Sequence, residues 1–245
     1  MIGKNSIKIG IFRKICYNHI EEKGDIMDEL KVLYEDNHLI VVEKKAGILS
    51  QADNTQDLDM LTIVKKYLKN KYQKPGNVFL GLVHRLDRMT GGVMVFAKTS
   101  KAASRLSEQI RKHEIEKRYF AVTKNYVIPD KNCLIDNISV DEKTGISKVD
   151  KAGKTAKLDY QVIKVIDNYS LLDIKLHTGR HHQIRVQFAS RGYPLYGDML
   201  YGNGPKVPLS LYAYYLKIYH PITKEELEFT NYPANGIWEL FDLQK

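Results

Sequence analysis

One carboxylate between two arginines, on a short loop between two apolar stretches, is the part of the sequence best suited to chemistry. Asp87 lies between Arg85 and Arg88, and Gly91 and Gly92 follow closely. Neighbouring cations favour an ionised carboxylate and lower its pKa by roughly 1–3 units. Glycines let the backbone or a ligand approach closely. The loop is a candidate site for an ionised catalytic carboxylate, and a surface turn with an ion pair is the simpler alternative.

Two apolar runs predict the strands that hold this loop, Val78–Val83 before it and Val93–Ala97 after it. The period of the apolar residues and the turn residues between them predict the remaining elements. Strands are predicted over 32–34, 39–42, 118–122, 158–166, 170–176, 209–220 and 226–230. Helices are predicted over 58–72, over 101–113 with Ser100 as N-cap, over 182–190 and over 236–243.

The order of these elements predicts the fold class. Residues 125–157 are expected to be loop-rich with weak strands, and residues 193–208 are expected to be loop. Strands and helices mix without a regular β-α-β alternation. This order predicts a single α+β domain with a mixed, largely antiparallel central sheet flanked by helices and loops.

Composition narrows the class of protein. The chain has 245 residues, 43% of them hydrophobic, and a net charge of +9, which favours a polyanionic partner such as nucleic acid. Cys16 and Cys133 are far apart and form no C-x-x-C motif, which argues against a disulfide scaffold or a zinc ribbon. No apolar run reaches the roughly 20 residues of a membrane span, and no signal peptide is evident. We expect a cytoplasmic protein that is not membrane-bound.

Three separated stretches carry a specific resemblance. They are His84–Gly92 (HRLDRMTGG), Glu116–Ala121 (EKRYFA) and Thr178–Val186 (TGRHHQIRV), the last followed by Tyr193–Asp198 (YPLYGD). In this order they closely resemble the RluA-type RNA pseudouridine synthases, whose pattern is HRLDxxTSG, K-x-Y, and TGRxHQIR followed by P-x-x-GD. The likeness extends from about Val32 to Pro221.

The resemblance implies an isomerase of RNA. Enzymes of this family break the glycosidic bond of a uridine, turn the uracil and join its C5 to C1′. They need neither cofactor nor metal. We therefore expect structured RNA, either rRNA or tRNA, as the substrate and partner of a monomeric enzyme.

The resemblance also assigns the catalytic residues. Asp87 corresponds to the essential aspartate, which either attacks the nucleotide or removes a sugar proton. Arg185 resembles the ion-pair partner of that aspartate, and burying such a pair is costly unless it is well hydrogen-bonded. Tyr119 resembles the active-site tyrosine, which stacks on the uracil and can help to remove the C5 proton. Taken alone, Tyr119 suits the core and Arg185 suits a solvated helix face.

Four further residues are expected to bind RNA. Arg85 resembles the arginine that fills the space left by the flipped base, although alone it would be a surface charge. Arg180 and His182 either shape the loop by hydrogen bonds or contact phosphate. Gln183 is expected beside them, supporting the ion pair or the RNA. Lysines of residues 143–157 and cations of the 101–112 helix are looser candidates for phosphate contacts.

Two histidines and three departures from the family pattern bear on this interpretation. His177 and His181 have a spacing that can bind zinc on a helix, but Thr178 and Gly179 break the helix, so no metal is expected. The three departures leave the essential aspartate unchanged. Gly91 occupies the position where the family usually has Ser, Lys45 the position of Pro, and Tyr212 the position of His.

Residues 1–26 show no clean pattern, and we expect a disordered or spurious extension before a catalytic domain over 27–245. Codons for Lys23–Ile26 can encode a ribosome-binding site, so we predict translation from Met27. A native peptide spanning residues 14–23 in mass spectrometry would contradict this. An RNA-binding S4 domain is not expected before the core.

Two other functions are compatible with parts of this sequence. A non-catalytic RNA-binding or RNA-folding module on the same scaffold would need none of Asp87, Tyr119 and Arg185. A glycoside hydrolase would need a second carboxylate beside Asp87. The sequence places none there by motif, and its basic charge suits RNA better than a neutral sugar.

Overall fold

The computed structural model describes residues 30–243, so the predictions for residues 1–26 and Met27 lie outside the described residues. Within this range a single sheet gathers the strands. They are β1 Val32–Glu35, β2 Leu39–Lys44, β3 Gly81–Leu82, β4 Gly91–Ala97, β5 Glu116–Lys124, β6 Lys131–Val140, β7 Ser147–Val149, β8 Lys154–Ile166, β9 Tyr169–Leu176, β10 Leu211–Tyr219 and β11 Glu226–Thr230. The helices are α1 Met60–Lys71, α2 Ser100–Arg111, α3 Gln183–Ala189 and a 3₁₀ helix over Gly236–Phe241.

The sheet is mixed and largely antiparallel, as predicted. Its order is β1-β2-β4-β10-β5-β9-β8-β6-β7, with β3 on β4 and β11 on β10. Strands β4 and β10 pair in parallel, whereas the other described pairs are antiparallel. Strand β4, which follows the candidate loop, therefore pairs inside the sheet with β10, the next strand in the chain after the TGR segment.

Helices cover both faces of the sheet because successive strand residues point to opposite sides. In β2, Ile40 and Val42 belong to the core on the face that packs against α1 and α3. Leu39 and Val41 belong to the core on the other face, where α2 packs. Burying both faces explains why β2 and β4 are near-continuous apolar runs instead of alternating ones.

Helix α2 begins one residue earlier than predicted. The N-cap is Thr99, whose side chain accepts a hydrogen bond from the Ala102 N–H at 3.2 Å. The buried residues of this helix are Ala102, Leu106 and Gln109. A glutamine is tolerated there because the Gln109 carboxamide bonds to both backbone groups of Tyr219, at 2.8 and 3.0 Å.

The strand content differs from the prediction in two segments. Residues 125–157, predicted as loop-rich with weak strands, hold the regular strands β6 and β7 and the start of β8. Their polar, half-exposed side chains give a weak apolar pattern, and backbone pairing between β6 and β8 decides the structure. In the predicted run Val78–Val83, only Gly81 and Leu82 pair as a strand.

The departures at positions 91 and 212 are structurally linked. Gly91 pairs with Tyr212 across β4 and β10. A Cβ at position 91 would lie 3.0 Å from two ring carbons of Tyr212 and 3.3 Å from the Lys44 carbonyl oxygen. The Tyr212 ring is held in place by its hydroxyl, which donates to Glu43 at 2.7 Å. A large ring at 212 therefore leaves little room for a side chain at 91.

Restoring serine at position 91 is expected to destabilise the protein by about 1–3 kcal/mol, the usual cost of overpacking. Combining Gly91→Ser with Tyr212→His should cost less than the sum of the two single changes, because the smaller ring makes room. Urea unfolding of the four proteins in a double-mutant cycle measures this coupling. Additive free energies within about 0.3 kcal/mol would contradict it.

Candidate active site

The loop that carries Asp87 is held from beneath by a buried lysine. Lys44 is fully buried, and its Nζ donates to the carbonyl oxygens of Arg88 at 2.9 Å and Thr90 at 2.8 Å. Burial lowers the pKa of Lys44 to about 7, and the charge of Asp87 opposes this. Lys44 was assigned no role from the sequence, because nothing in the sequence indicates that this lysine is buried.

Glycine is required where this loop enters β4. Gly92 has φ of +129°, and a Cβ there would overlap the Ala213 carbonyl oxygen. The backbones of β4 and β10 therefore approach too closely for any side chain at this position. Ser50 fixes the other side of the loop, donating to the Leu86 carbonyl at 2.7 Å and accepting from its N–H at 3.1 Å.

The two flanking arginines do not contact the carboxylate between them. Arg88 pairs with Asp57 at 2.8 Å and donates to the Gly47 carbonyl at 3.1 Å, so it anchors the loop. Arg85 is exposed and, within residues 30–243, forms no hydrogen bond or ion pair with the protein. Neither arginine therefore forms with Asp87 the ion pair of the simpler surface-turn alternative.

Asp87 is partly buried, with 30% of its side chain exposed. Burial raises the pKa of its carboxyl above the ordinary value, opposed by the charges of Arg185, His181, Lys44 and Arg85. The sequence predicted a lowered pKa, which was wrong, because loss of water outweighs cations that do not touch the carboxylate.

Arg185 has a different partner from the one expected. It is 7% exposed on α3, and its Nε and Nη2 donate to the two oxygens of Asp198, each at 2.8 Å. Burial alone would raise the pKa of Asp198, but hydrogen bonds from Arg185 and from the Leu200 and Tyr201 N–H groups hold it low. Among the described residues, Arg185 forms its ion pair with Asp198, so the expectation of a pair with Asp87 was wrong. The charge of Arg185 still acts on Asp87.

Tyr119 lies close enough to Asp87 for the charge of the carboxylate to act on its phenol. It is 6% exposed on β5, and burial together with the Asp87 charge raises the pKa of its phenol, which is therefore neutral. Two residues earlier on the same face, Lys117 is partly buried, and burial lowers its pKa. Its Nζ lies 3.7 Å from where a Cβ on Gly179 would stand. The K-x-Y spacing was the signal that could have singled out Lys117.

His182 is the side chain from the third stretch that comes nearest to Asp87. Its Nε2 lies 3.9 Å from Asp87 Oδ2, and its Nδ1 lies 2.8 Å from the Tyr201 hydroxyl. Burial, then the charges of Arg185 and His181, lower the pKa of His182 to about 3. The imidazole is therefore neutral, and this contact is not an ion pair at neutral pH.

Gln183 shapes the loop and does not reach the surface. It is 3% exposed, and its Oε1 accepts hydrogen bonds from the Thr178 hydroxyl at 2.8 Å and the Arg180 N–H at 3.1 Å. This placement corrects the expected RNA contact. Arg180 is exposed beside it, with its Nε donating to the Thr155 carbonyl at 2.9 Å.

His84 sits at the start of the loop as a neutral acceptor. Its Nε2 accepts the Val95 N–H at 3.1 Å, and burial lowers the pKa of the ring to about 3. The unfolded chain binds a proton on this ring below about pH 6.5, whereas the folded protein does not. His84 therefore contributes stability at neutral pH that is lost as the pH falls from about 6.5 towards 3.

The His84→Gln variant is expected to show a shallower loss of stability over this acid range, because glutamine can accept the same N–H without titrating. Urea unfolding at several pH values between 3.5 and 7 measures the slope. His113→Gln, at an exposed histidine, is the matched control for the substitution itself. Equal slopes for all three proteins would contradict the assignment.

The described residues contain no group of three or more His, Cys, Asp or Glu side chains that could hold a metal ion. The two histidines considered for zinc have separate partners: His177 bonds to Asp159 at 2.6 Å, and His181 bonds to Ser147 at 3.0 Å. No described helix is long and apolar enough to cross a membrane.

Comparison with known proteins decides which family this site belongs to. The sequence model of the family described as RNA pseudouridylate synthase matches residues 38–190, which include Asp87, Tyr119 and Arg185. The chain belongs to the RNA pseudouridine synthase family. The isomerisation of uridine in RNA that the sequence resemblance implied is the activity of this family.

Curated pseudouridine synthases are similar over most of the chain. An uncharacterised RNA pseudouridine synthase of Aquifex aeolicus is 36% identical over 233 residues, covering 88% of this chain and 69% of that protein. Ribosomal large subunit pseudouridine synthase D of Zymomonas mobilis is 32% identical, covering 82% and 68%. The chain spans about two thirds of the length of these relatives.

Solved pseudouridine synthase structures share the fold. Human RNA pseudouridylate synthase domain containing 4 superposes with a TM-score of 0.72 at 23% identity, covering 85% of this chain and 92% of that one. Human RNA pseudouridylate synthase domain containing 1 gives a TM-score of 0.68 over 86% of each chain. These superpositions confirm the predicted fold of a pseudouridine synthase catalytic domain.

Proposed function

We propose that this pseudouridine synthase isomerises specific uridines of structured RNA, acting as a monomer without metal or cofactor. The observation that carries the proposal is the partly open carboxylate of Asp87, which lies among groups from all three motif stretches. In the reaction the N1–C1′ bond breaks and a C5–C1′ bond forms. The C5 proton leaves, and N1 gains a proton, so no oxidant or second substrate is needed.

Asp87 is the group that we assign to attack the nucleotide or to remove a sugar proton. Either role needs the ionised form, which burial disfavours. The charge of Arg185, held in place by Asp198, favours the ionised form from a short distance without neutralising it in a contact. This arrangement leaves the Asp87 carboxylate without a cation in contact, so that it can reach the substrate.

Tyr119 supplies an aromatic ring and a neutral phenol next to the carboxylate. A base stacked on such a ring gains roughly 1–3 kcal/mol, which offsets part of the cost of leaving the RNA helix. The raised pKa of the phenol means that Tyr119 acts as a hydrogen-bond donor or proton relay and not as a standing phenolate.

RNA contacts are assigned to exposed cations around the site. Arg85 has a guanidinium without a protein partner among the described residues, so it is free to occupy the space that a flipped base leaves. Arg180 is exposed on the TGR loop. The hairpin region between β6 and β8 adds exposed lysines, namely Lys143, Lys148, Lys151, Lys154 and Lys157. These charges supply salt-sensitive affinity for phosphate.

The RNA target is narrowed by the relatives. Several are named ribosomal large subunit pseudouridine synthase C or D, which makes large-subunit rRNA the first substrate to test and tRNA the second.

Pseudouridine mapping in a deletion strain tests the function. Carbodiimide primer extension across rRNA and tRNA should show one or more sites that disappear on deletion and return with the wild-type gene. An Asp87→Asn gene should not restore them. If no site changes, the catalytic proposal fails for these RNAs. A growth defect rescued equally by both genes would instead favour the RNA-binding module. Gel filtration tests the monomer.

A further inference from the structure

A chain of contacts links strand β7 to the catalytic carboxylate through Tyr201. The Ser147 N–H of β7 donates to the Tyr201 hydroxyl oxygen at 2.9 Å. That oxygen lies 2.8 Å from His182 Nδ1, and His182 Nε2 lies 3.9 Å from Asp87 Oδ2. Tyr201 follows the region that the family model matches, residues 38–190.

At the Tyr201 end of this series of contacts, the hydrogen bonds favour one nitrogen of His182 as the site of its proton. The Tyr201 hydroxyl oxygen accepts a hydrogen bond from the Ser147 N–H, and its own O–H lies within hydrogen-bond distance of His182 Nδ1 as the acceptor. A neutral imidazole that accepts at Nδ1 carries its single proton on Nε2.

The other end of the chain favours the same arrangement independently. His182 Nε2 faces an oxygen of Asp87. A lone pair on this nitrogen would repel the carboxylate, whereas an N–H is attracted to it. Burial and the nearby positive charges keep the ring from taking a second proton at neutral pH. Both neighbours therefore select the Nε2–H tautomer.

Neither ring can turn freely. The Arg185 guanidinium lies 5.0 Å from the centre of the Tyr201 ring, and the Tyr201 N–H donates to Asp198 at 3.1 Å. His182 has a left-handed backbone with φ of +52°, and its ring stacks on His181 with the centroids 3.8 Å apart. The buried Arg185–Asp198 pair thus positions Tyr201, and Tyr201 in turn positions His182.

We propose that Tyr201 is a positioning residue that keeps His182 in the Nε2–H tautomer, so that an N–H donor faces Asp87. At 3.9 Å the donor orients the carboxylate electrostatically, and a shift of about 1 Å would bring it to hydrogen-bond distance. The catalytic consequence rests on the proposed function, whereas the tautomer is a property of the free protein.

The first test uses the full-length native protein. Long-range ¹H–¹⁵N NMR of the histidine rings at pH 7 distinguishes the two neutral tautomers from the imidazolium, and the His182→Gln protein identifies the signals of His182. We expect a protonated Nε2 and an unprotonated Nδ1. A protonated Nδ1, alone or together with Nε2, would overturn the proposal.

The second test removes only the hydroxyl. Tyr201→Phe keeps the ring over Arg185 and should shift the His182 Nδ1 signal. It should also lower the single-turnover isomerisation rate by about 3–10-fold, the scale of one hydrogen bond, with RNA affinity unchanged. Tyr72→Phe is the matched control, because it also removes a tyrosine hydroxyl, one that donates to Glu35 and contacts none of Tyr201, His182 and Asp87. It should change neither signal nor rate.

The outcomes separate the two proposals. An unchanged rate in Tyr201→Phe, with the wild type active, overturns the positioning role. A wild-type protein that isomerises none of the RNAs tried contradicts the proposed function, while the NMR result still decides the tautomer. If Tyr201→Phe does not fold, the ring spectrum of the native protein remains decisive.

Discussion

Asp87→Asn is expected to reduce the single-turnover isomerisation rate by at least about 10⁴-fold while leaving the protein folded. The loss of rate is of the size found when a catalytic nucleophile or base is removed. Stability should be unchanged or higher at pH 7, because burial disfavours the charged carboxyl and asparagine is neutral. Release of tritium from RNA labelled at uridine C5 measures the rate, and urea unfolding measures the stability.

RNA affinity separates loss of chemistry from loss of binding. Removing a negative charge from a site that binds a polyanion should leave the Kd within about threefold of the wild type, or lower it. Asp57→Asn is the control for loss of a nearby negative charge, because Asp57 pairs with Arg88, which lies on the same loop as Asp87. A variant at Asp87 that keeps more than a hundredth of the wild-type rate would exclude this carboxylate as the essential group.

Arg185→Met is expected to cost about 3–5 kcal/mol of unfolding free energy, a larger stability effect than that of Gly91→Ser. The change leaves Asp198 buried without its cation, since Asp198 is 1% exposed and accepts both hydrogen bonds from Arg185. Adding Asp198→Asn should restore at least half of the loss. The asparagine oxygen can still accept from the Leu200 and Tyr201 N–H groups, and no charge remains buried.

Arg118→Met is the matched control, because Arg118 likewise forms ion pairs, with Glu116 and Asp173, but 36% of its side chain is exposed. Its loss should stay at or below about 1 kcal/mol. Urea unfolding at pH 7 compares the variants. If Arg185→Met and Arg118→Met cost the same, or if Asp198→Asn adds to the damage, the buried Arg185–Asp198 pair does not stabilise the fold in this way.

The sequence determined much of the scaffold by local rules. Strands such as β2, β8 and β9 and helices such as α1 and α3 follow from apolar spacing and turn residues. The bounds of the weakly patterned β6 were not predicted within a loop-rich segment with weak strands, because its pairing with β8 is a long-range contact that local propensity does not encode. The resemblance located Asp87, Tyr119 and Arg185 and the order of their stretches, and thereby the family.

Only the tertiary structure decided which charges meet. Arg185 was expected on Asp87 but binds Asp198, and Arg88 binds Asp57 instead of its neighbour in sequence. An ion pair depends on separations of a few ångströms, which are set by how α3 and the loops pack on the sheet. The loop around Asp87 accordingly presents a carboxylate on which nearby cations act without contacting it. It is supported from below by Lys44 and faced by His182, and sequence spacing alone reveals neither contact.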